Sequence, residues 1–108
     1  MSPAFTEAAP LFAALGDETR LRIVARLCER GPMSIARLTE GSNITRQAVT
    51  KHLLALSSAG LVRGDRSGRQ RIWQLETERL DEIRTYLEQI SRQWDRALLR
   101  LRAFVEEG

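Results

Sequence analysis

The stretch from Thr45 to Arg71, TRQAVTKHLLALSSAGLVRGDRSGRQR, constrains the fold more than any other part of the chain. Its first half predicts an amphipathic helix, because residues at helical spacing form one apolar face. That face consists of Val49, His52, Leu53 and Leu56. Its second half predicts a hairpin, with strands at 61–66 and 69–75 around a Ser67-Gly68 turn. A helix that exposes polar side chains at its N-terminal end, followed by a basic hairpin, suits a DNA groove.

Positive charge is concentrated around this helix and hairpin. Residues 31–75 contain seven basic and two acidic side chains, a net charge of +5, whereas the whole chain has a net charge of +3. Residues 1–30 are neutral and residues 76–108 sum to −2. A local excess of this kind is typical of a polyanion-binding surface.

Length and composition predict one compact domain. The chain has 108 residues, of which 43% are apolar, enough to build one core and too few for two ordinary domains. No apolar run approaches the roughly 20 residues of a membrane span, and the N-terminus lacks the pattern of a secretory signal. The single cysteine fits a reducing compartment, so we expect a cytoplasmic protein. Residues 1–9 are expected to be a flexible N-terminus, and residues 10–108 a single domain.

Capping signals divide the first half of the chain into short helices. Pro10 is expected to start the first, which has Leu11, Phe12 and Leu15 as its apolar side. Asp17 is placed to cap a second helix, 18–30, whose predicted buried stripe comprises Leu21, Val24, Leu27 and Cys28, with Ile23 beside it. A short helix capped by Ser34 ends at Gly41, and Thr45 caps the next. Two short helices joined by a Gly-containing turn form a helix-turn-helix.

The C-terminal region predicts one long helix, 76–106. Its apolar residues alternate at spacings of three and four: Leu80, Ile83, Leu87, Ile90, Trp94, Ala97, Leu101 and Phe104. At ~1.5 Å per residue the helix is more than about 40 Å long, which exceeds what a small domain needs to cover its core. A second copy of the chain is the simplest partner for the excess apolar surface. The expected dimer interface comprises Leu11, Phe12, Leu80, Ile83, Leu87, Ile90, Trp94, Leu98 and Leu101.

Four polar side chains at the start of the central helix are the candidates for contact with bases. Arg46 and Lys51 can donate to guanine or to phosphate, Gln47 can pair with adenine, and Thr50 can touch a base edge or a thymine methyl group. A polar helix face opposite an apolar stripe is also an ordinary solvated surface. The order of elements and the local charge of +5 favour DNA binding.

The hairpin is expected to contact the DNA backbone. Arg66 and Arg69 flank its tip beside Ser67, and Arg71 lies further along the second strand. Charges on edge strands also prevent aggregation, but four arginines against one aspartate exceed that need. His52 is expected to pack or to touch phosphate, since the chain has no second histidine with which to bind a metal.

No catalytic or metal-binding arrangement can be assembled from these residues. One histidine and one cysteine do not supply a nucleophile, a base and an orienting group, and no glycine-rich phosphate loop is present. The chain is therefore not expected to be an enzyme. Cys28 is expected to be a small core residue. Two alternatives stay open: a protein-interaction module that does not bind DNA, and a regulator that responds to oxidation of Cys28.

Three segments together resemble the ArsR family of winged-helix bacterial transcriptional repressors: LFAALGDETRLRIVARL, ITRQAVTKHLLALSSAGLV and GRQRIWQL. The resemblance covers residues 11–75. It implies a mainly α (α+β) winged helix-turn-helix fold, with helices, a two-stranded β-hairpin wing and a long C-terminal dimerisation helix. It also implies a homodimer on a pseudo-palindromic operator. DNA contacts would come from Arg46, Gln47, Thr50, Lys51 and His52, and from a wing tip around Arg66–Arg69.

The chain departs from the metal-sensing members of that family. Where these have a cysteine pair before the recognition helix, this chain has SIARLTE, and its last helix contains no histidine. The ending ISRQWDRALLRLRAFVEE is similar to a non-metal-sensing subgroup. We therefore expect no metal and no cofactor, with double-stranded DNA and a second copy of the chain as partners.

Overall fold

Five helices and a small sheet make up the fold of this protein, which a computed structural model describes for residues 3–107, with side chains from residue 6 onward. In chain order the elements are α1 (Pro3–Leu15), α2 (Glu18–Arg30), β1 (Met33–Ser34), α3 (Ile35–Thr39), α4 (Arg46–Ser58), β2 (Val62–Ser67), β3 (Gln70–Leu75) and α5 (Thr77–Glu107). The sequence predicts all of these except β1.

Helix α1 begins earlier than the sequence suggests. It starts at Pro3, so Pro10 lies inside it and most of the segment expected to be flexible is helical; residues 1 and 2 lie outside the described residues. A proline in a helix interior removes one backbone hydrogen bond. Packing against α5 offsets this loss, since Ala8 is buried and the Phe12 ring lies 5.7 Å from that of Tyr86.

The sheet has three antiparallel strands in the order β1-β3-β2. The two residues of β1 pair with β3, Met33 opposite Trp73 and Ser34 opposite Ile72. The sheet is therefore a hairpin with a third, very short strand, where the sequence predicts a hairpin alone. This strand connects the hairpin to the start of α3.

One hydrophobic core joins α1, α2, α3, α4, the sheet and the first turns of α5. Its buried side chains are Leu11, Ile23, Val24, Leu27, Met33, Leu38, Val49, Leu53, Leu56, Leu61, Val62, Trp73 and Ile83. One face of α4 packs against this core, because Val49, Leu53 and Leu56 are almost fully inaccessible to solvent. The predicted apolar face of α4 is thereby confirmed for these three residues, whereas its fourth member, His52, is half-buried.

The buried face of α2 differs from the prediction. Ile23, Val24 and Leu27 are buried, but Leu21 and Cys28 are exposed. At 100° per residue, both lie about 100° from the centre of the face that the other three define. The expectation that Cys28 is a core residue is therefore wrong.

Candidate nucleic-acid interface

The N-terminal half of α4 presents three long polar side chains to solvent. The side chain of Thr45 caps the helix by accepting a hydrogen bond from the backbone N–H of Ala48, 3.1 Å away. Arg46, Gln47 and Lys51 are exposed. Because the opposite face is fixed in the core, α4 displays these side chains on a rigid support.

Thr50 lies beside them, half-buried, with its hydroxyl already engaged. Its Oγ1 donates to the carbonyl of Arg46, one turn earlier, at 2.8 Å. The hydroxyl can still accept a hydrogen bond, and its methyl group can contact an apolar atom. Such a side chain could meet an amino group or a thymine methyl in the major groove.

His52 faces α2 and lies apart from the exposed stripe. Its Nδ1 lies 3.8 Å from Oδ1 of Asp17, the N-cap of α2. The pKa of Asp17 is lowered, first because its carboxylate accepts the backbone N–H of Arg20, and further through the nearby His52. His52 therefore lies between α4 and the N-cap of α2.

The wing, defined as β2, β3 and the loop between them, has a basic tip. Ser67 pairs with Gln70, so the loop consists of Gly68 and Arg69, one residue beyond the predicted Ser67-Gly68 turn. Gly68 has a φ of +66°, which a residue with a side chain rarely adopts. Arg66, Ser67, Arg69 and Arg71 are all exposed.

Arg63, the fourth arginine of the wing, is engaged by acidic partners. Its Nε lies 2.9 Å from Oδ2 of Asp65, and its Nη1 lies 2.9 Å from Oε1 of Glu76. Hydrogen bonds from Arg63 and Gln74 hold the pKa of Asp65 below its usual value. Asp65 and Glu76 in turn raise the pKa of Arg63. Arg63 therefore adds little positive charge for a ligand. The pairing register, which places Gln74 opposite Arg63, is the signal that could have indicated this network.

Arg71, the second residue of β3, lies over the ring of Trp73. Its guanidinium carbon is 5.0 Å from the ring centroid, a cation–π arrangement. Gly64 leaves the room for it, because a Cβ there would lie 2.8 Å from Nε of Arg71. Trp73 itself is buried and belongs to the core.

An open cavity of about 180 Å³ separates the start of α4 from β3. Arg46 and Arg71 line it from opposite elements, together with Ser34, Ile35, Ala36 and Gln70. The structure thus brings together two arginines that the sequence assigns to different parts of the interface. No sequence signal relates them, since 25 positions separate them in the chain.

From Leu87 onward, α5 exposes a long apolar stripe. Leu87, Trp94, Leu98, Leu101 and Phe104 are exposed in the single chain, Trp94 to 67% and Phe104 to 75%. Two residues of the expected dimer interface lie elsewhere: Leu11 and Ile83 are buried in the core of their own chain and offer little surface to a partner. Phe12, Leu80 and Ile90 are half-buried.

Within residues 3–107, no group of three or more His, Cys, Asp or Glu side chains is arranged to hold a metal ion. In the same range, no helix is both long and apolar enough to cross a membrane.

Known proteins resemble this chain in both sequence and structure. Residues 15–65 match a protein family described as a helix-turn-helix domain. The HTH-type transcriptional regulator Rv2034 of Mycobacterium tuberculosis is 40% identical over 85 residues, which are 79% of this chain and 76% of the relative. The arsenical resistance operon repressor of Bacillus subtilis is 33% identical over 72 residues, 67% of this chain and 69% of that protein.

A solved structure extends the similarity to the whole fold. An ArsR-like transcriptional regulator from Rhodococcus sp. RHA1 superposes with a TM-score of 0.77 at 35% identity, covering 95% of this chain and 96% of that one. These similarities favour a DNA-binding protein over an interaction module that does not bind DNA. The chain belongs to the ArsR family of winged-helix regulators, and it is a DNA-binding transcriptional regulator and not an enzyme.

Proposed function

We propose that the protein is a homodimeric repressor, acting in the cytoplasm, that binds a pseudo-palindromic operator. The observation that supports this most directly is the apolar stripe on α5, exposed in the single chain, on a molecule with one short DNA-reading helix. A dimer would cover the stripe and present the helix twice.

The argument for a second copy rests on the length and exposure of α5. The helix has 31 residues, so at ~1.5 Å per residue it spans about 46 Å. Among its described residues only Ile83 is buried. Contiguous apolar surface of this kind on a soluble protein marks an interface. A symmetric dimer uses the same patch on both copies, so one stripe supplies both halves of the contact.

The DNA contacts follow from the two exposed basic elements. Helix α4 would enter the major groove, where Gln47 and Lys51 can donate to base edges. The tip of the wing, with Arg66 and Arg69, would lie against the backbone beside the adjacent minor groove. Two recognition helices related by a two-fold axis would contact half-sites about 34 Å apart.

Repression would follow from occupation of the operator. A dimer seated on promoter DNA excludes other proteins from the same surface. The similarity to the arsenical resistance operon repressor of Bacillus subtilis supports a repressor over an activator.

Sedimentation and DNA selection test the proposal together. We expect a dimer at micromolar concentration, and selection from a random DNA pool to yield a two-fold symmetric site. Trp94→Asp should shift the protein to monomer and weaken operator binding, because a charge on the stripe opposes its burial. Gln89→Asp, an exposed change elsewhere on α5, is the matched control and should leave both properties unchanged. A monomer that binds its selected site as tightly as the unmodified protein would contradict the proposal.

A further inference from the structure

We propose that the cavity between α4 and β3 binds one phosphate group of the DNA backbone, held jointly by Arg46 and Arg71. Arg46 then anchors the backbone and does not read a base, which selects phosphate over guanine, the two contacts that the sequence allows for it. This inference rests on the proposed operator binding and specifies which part of the DNA contacts each arginine.

The lining of the cavity has the chemistry of an anion site. Four of its six lining residues, Arg46, Arg71, Gln70 and Ser34, have side-chain donors, the other two are Ile35 and Ala36, and no acidic residue lines the space. The Oγ of Ser34 accepts the backbone N–H of Arg37 at 3.3 Å, so its proton is available to a ligand. A guanidinium fork matches phosphate oxygens with two parallel hydrogen bonds. The volume of about 180 Å³ is several times the ~30 Å³ that one water occupies in the liquid, so a phosphate group fits.

Neither arginine is neutralised by the protein. Among the described residues, no salt bridge involves Arg46 or Arg71. The carboxylate of Asp65 feels the charge of Arg71, but its Oδ2 already accepts hydrogen bonds from Arg63 and Gln74. Neither guanidinium group is therefore committed to a carboxylate partner.

The wing holds Arg71 beside another positive charge, and a bound anion would reduce the repulsion between the two. Arg71 stands directly opposite Arg66 across the two strands, a like-charge pair that destabilises a sheet. Its side chain nevertheless packs against the Trp73 ring and in the space above Gly64. Such pre-ordering lowers the entropy lost when a ligand binds.

The position of the cavity fits the path of a DNA strand. A backbone separates the major groove from the minor groove on each side of the duplex. When α4 enters the major groove and the wing tip reaches the neighbouring minor groove, that backbone passes between them. The cavity lies between the same two elements. Arg71 extends from the wing and Arg46 from α4, so the group that both can reach is a phosphate of this strand.

Neutral phosphate substitution in the selected operator tests the inference. Each phosphate is replaced singly by methylphosphonate, and binding is measured for the unmodified protein and for Arg46→Ala, Arg71→Ala, Arg71→Lys and Arg69→Ala. In the unmodified protein we expect one inner position per half-site where neutralisation weakens binding about tenfold, as for loss of a hydrogen bond to a charged group. At that position the effect should nearly vanish in Arg46→Ala and Arg71→Ala, and persist in Arg69→Ala.

Two further measurements test whether Arg46 and Arg71 share one phosphate. Arg46→Ala should select the same base sequence from a random pool as the unmodified protein. Arg71→Lys, which keeps the charge and the fold but loses the planar fork, should show an intermediate effect. If Arg46→Ala alters the selected bases, or the two alanine variants lose sensitivity at different phosphates, the shared site is wrong while operator binding stands. Failure of the unmodified protein to select any sequence would overturn the proposed function as well.

Discussion

The imidazole of His52 and the carboxylate of Asp17 connect the recognition helix to the N-cap of α2, with Nδ1 and Oδ1 separated by 3.8 Å. The same carboxylate accepts the backbone N–H of Arg20 at 3.1 Å. The Asp17 carboxylate thus caps α2 and also lies close to His52 of α4. The buried face of α4 packs against the core, and the Asp17 carboxylate lies beside this edge of the helix.

This relationship predicts an acid-dependent loss of stability. The pKa of Asp17 is lowered from 3.8, so its ionised form is the one that the fold favours. Its contribution is complete at pH values above 3.8 and is lost as the pH falls through the lower, folded value. Asp17→Asn keeps the cap but removes the charge. In urea unfolding we expect this variant to be less stable than the unmodified protein at pH 6, with a difference that shrinks in acid.

The share of His52 in this effect can be measured directly. A carboxyl-detected NMR titration should give an Asp17 pKa that moves toward 3.8 in His52→Ala without reaching it, because the Arg20 N–H remains bound. Lys51→Ala, which removes a solvent-facing charge from the neighbouring position, is the control and should leave the Asp17 pKa in place. An unchanged value in His52→Ala would show that the histidine does not act on this cap.

Adjacent leucines of α4 make a second prediction about the support of the recognition helix. Leu53 is fully inaccessible, whereas Leu54 is 51% exposed. Leu53→Ala should reduce the free energy of unfolding by about 2–5 kcal/mol, the range for a buried leucine. Leu54→Ala should change it by less than about 0.5 kcal/mol. Equal losses in thermal or urea unfolding would contradict the packing described for α4.

The main elements of this fold could be predicted from local patterns, and the exceptions depend on distant contacts. Thr45 with Val49, Leu53 and Leu56 predicts α4 correctly, because cap and apolar spacing agree. The two residues of β1 follow Gly31-Pro32 and form a strand only through their pairing with Trp73 and Ile72. No local pattern encodes such a partner.

The candidate site, too, was predictable where it depends on local patterns and not where it depends on distant contacts. The polar stripe of α4 and the basic wing tip could be identified from residue type and spacing. The engagement of Arg63 by Asp65 and Glu76, and the meeting of Arg46 with Arg71 at one cavity, depend on register and tertiary packing. A count of charges along the chain treats Arg63 and Arg69 alike. In the structure Arg63 is paired with Asp65 and Glu76, whereas Arg69 is exposed at the tip of the wing.

That difference between the two arginines gives a prediction for DNA affinity. Each phosphate contact contributes a slope of about −0.9 to the dependence of log affinity on log salt concentration. Arg69→Ala should therefore make the slope less steep by about 1.8 for a dimer and should weaken binding to specific and random DNA alike. Arg63→Ala should leave the slope nearly unchanged, because its charge is compensated within the wing. A larger effect for Arg63→Ala than for Arg69→Ala in a salt titration would reverse this assignment.

Gln47 is the side chain whose removal should affect sequence discrimination most selectively. It is exposed on the first turn of α4, and its amide can donate to and accept from one adenine edge at the same time. Gln47→Ala should reduce the preference for the selected operator over a single-base variant by about 1–3 kcal/mol, while binding to random DNA stays nearly constant. Competition titrations with the operator, its single-base variants and random DNA measure this difference. Arg69→Ala is the comparison, since loss of a backbone contact lowers affinity for every sequence without changing their order. If Gln47→Ala weakens all of these DNA fragments equally, the residue contacts the backbone and the base-reading role passes to its neighbours on α4.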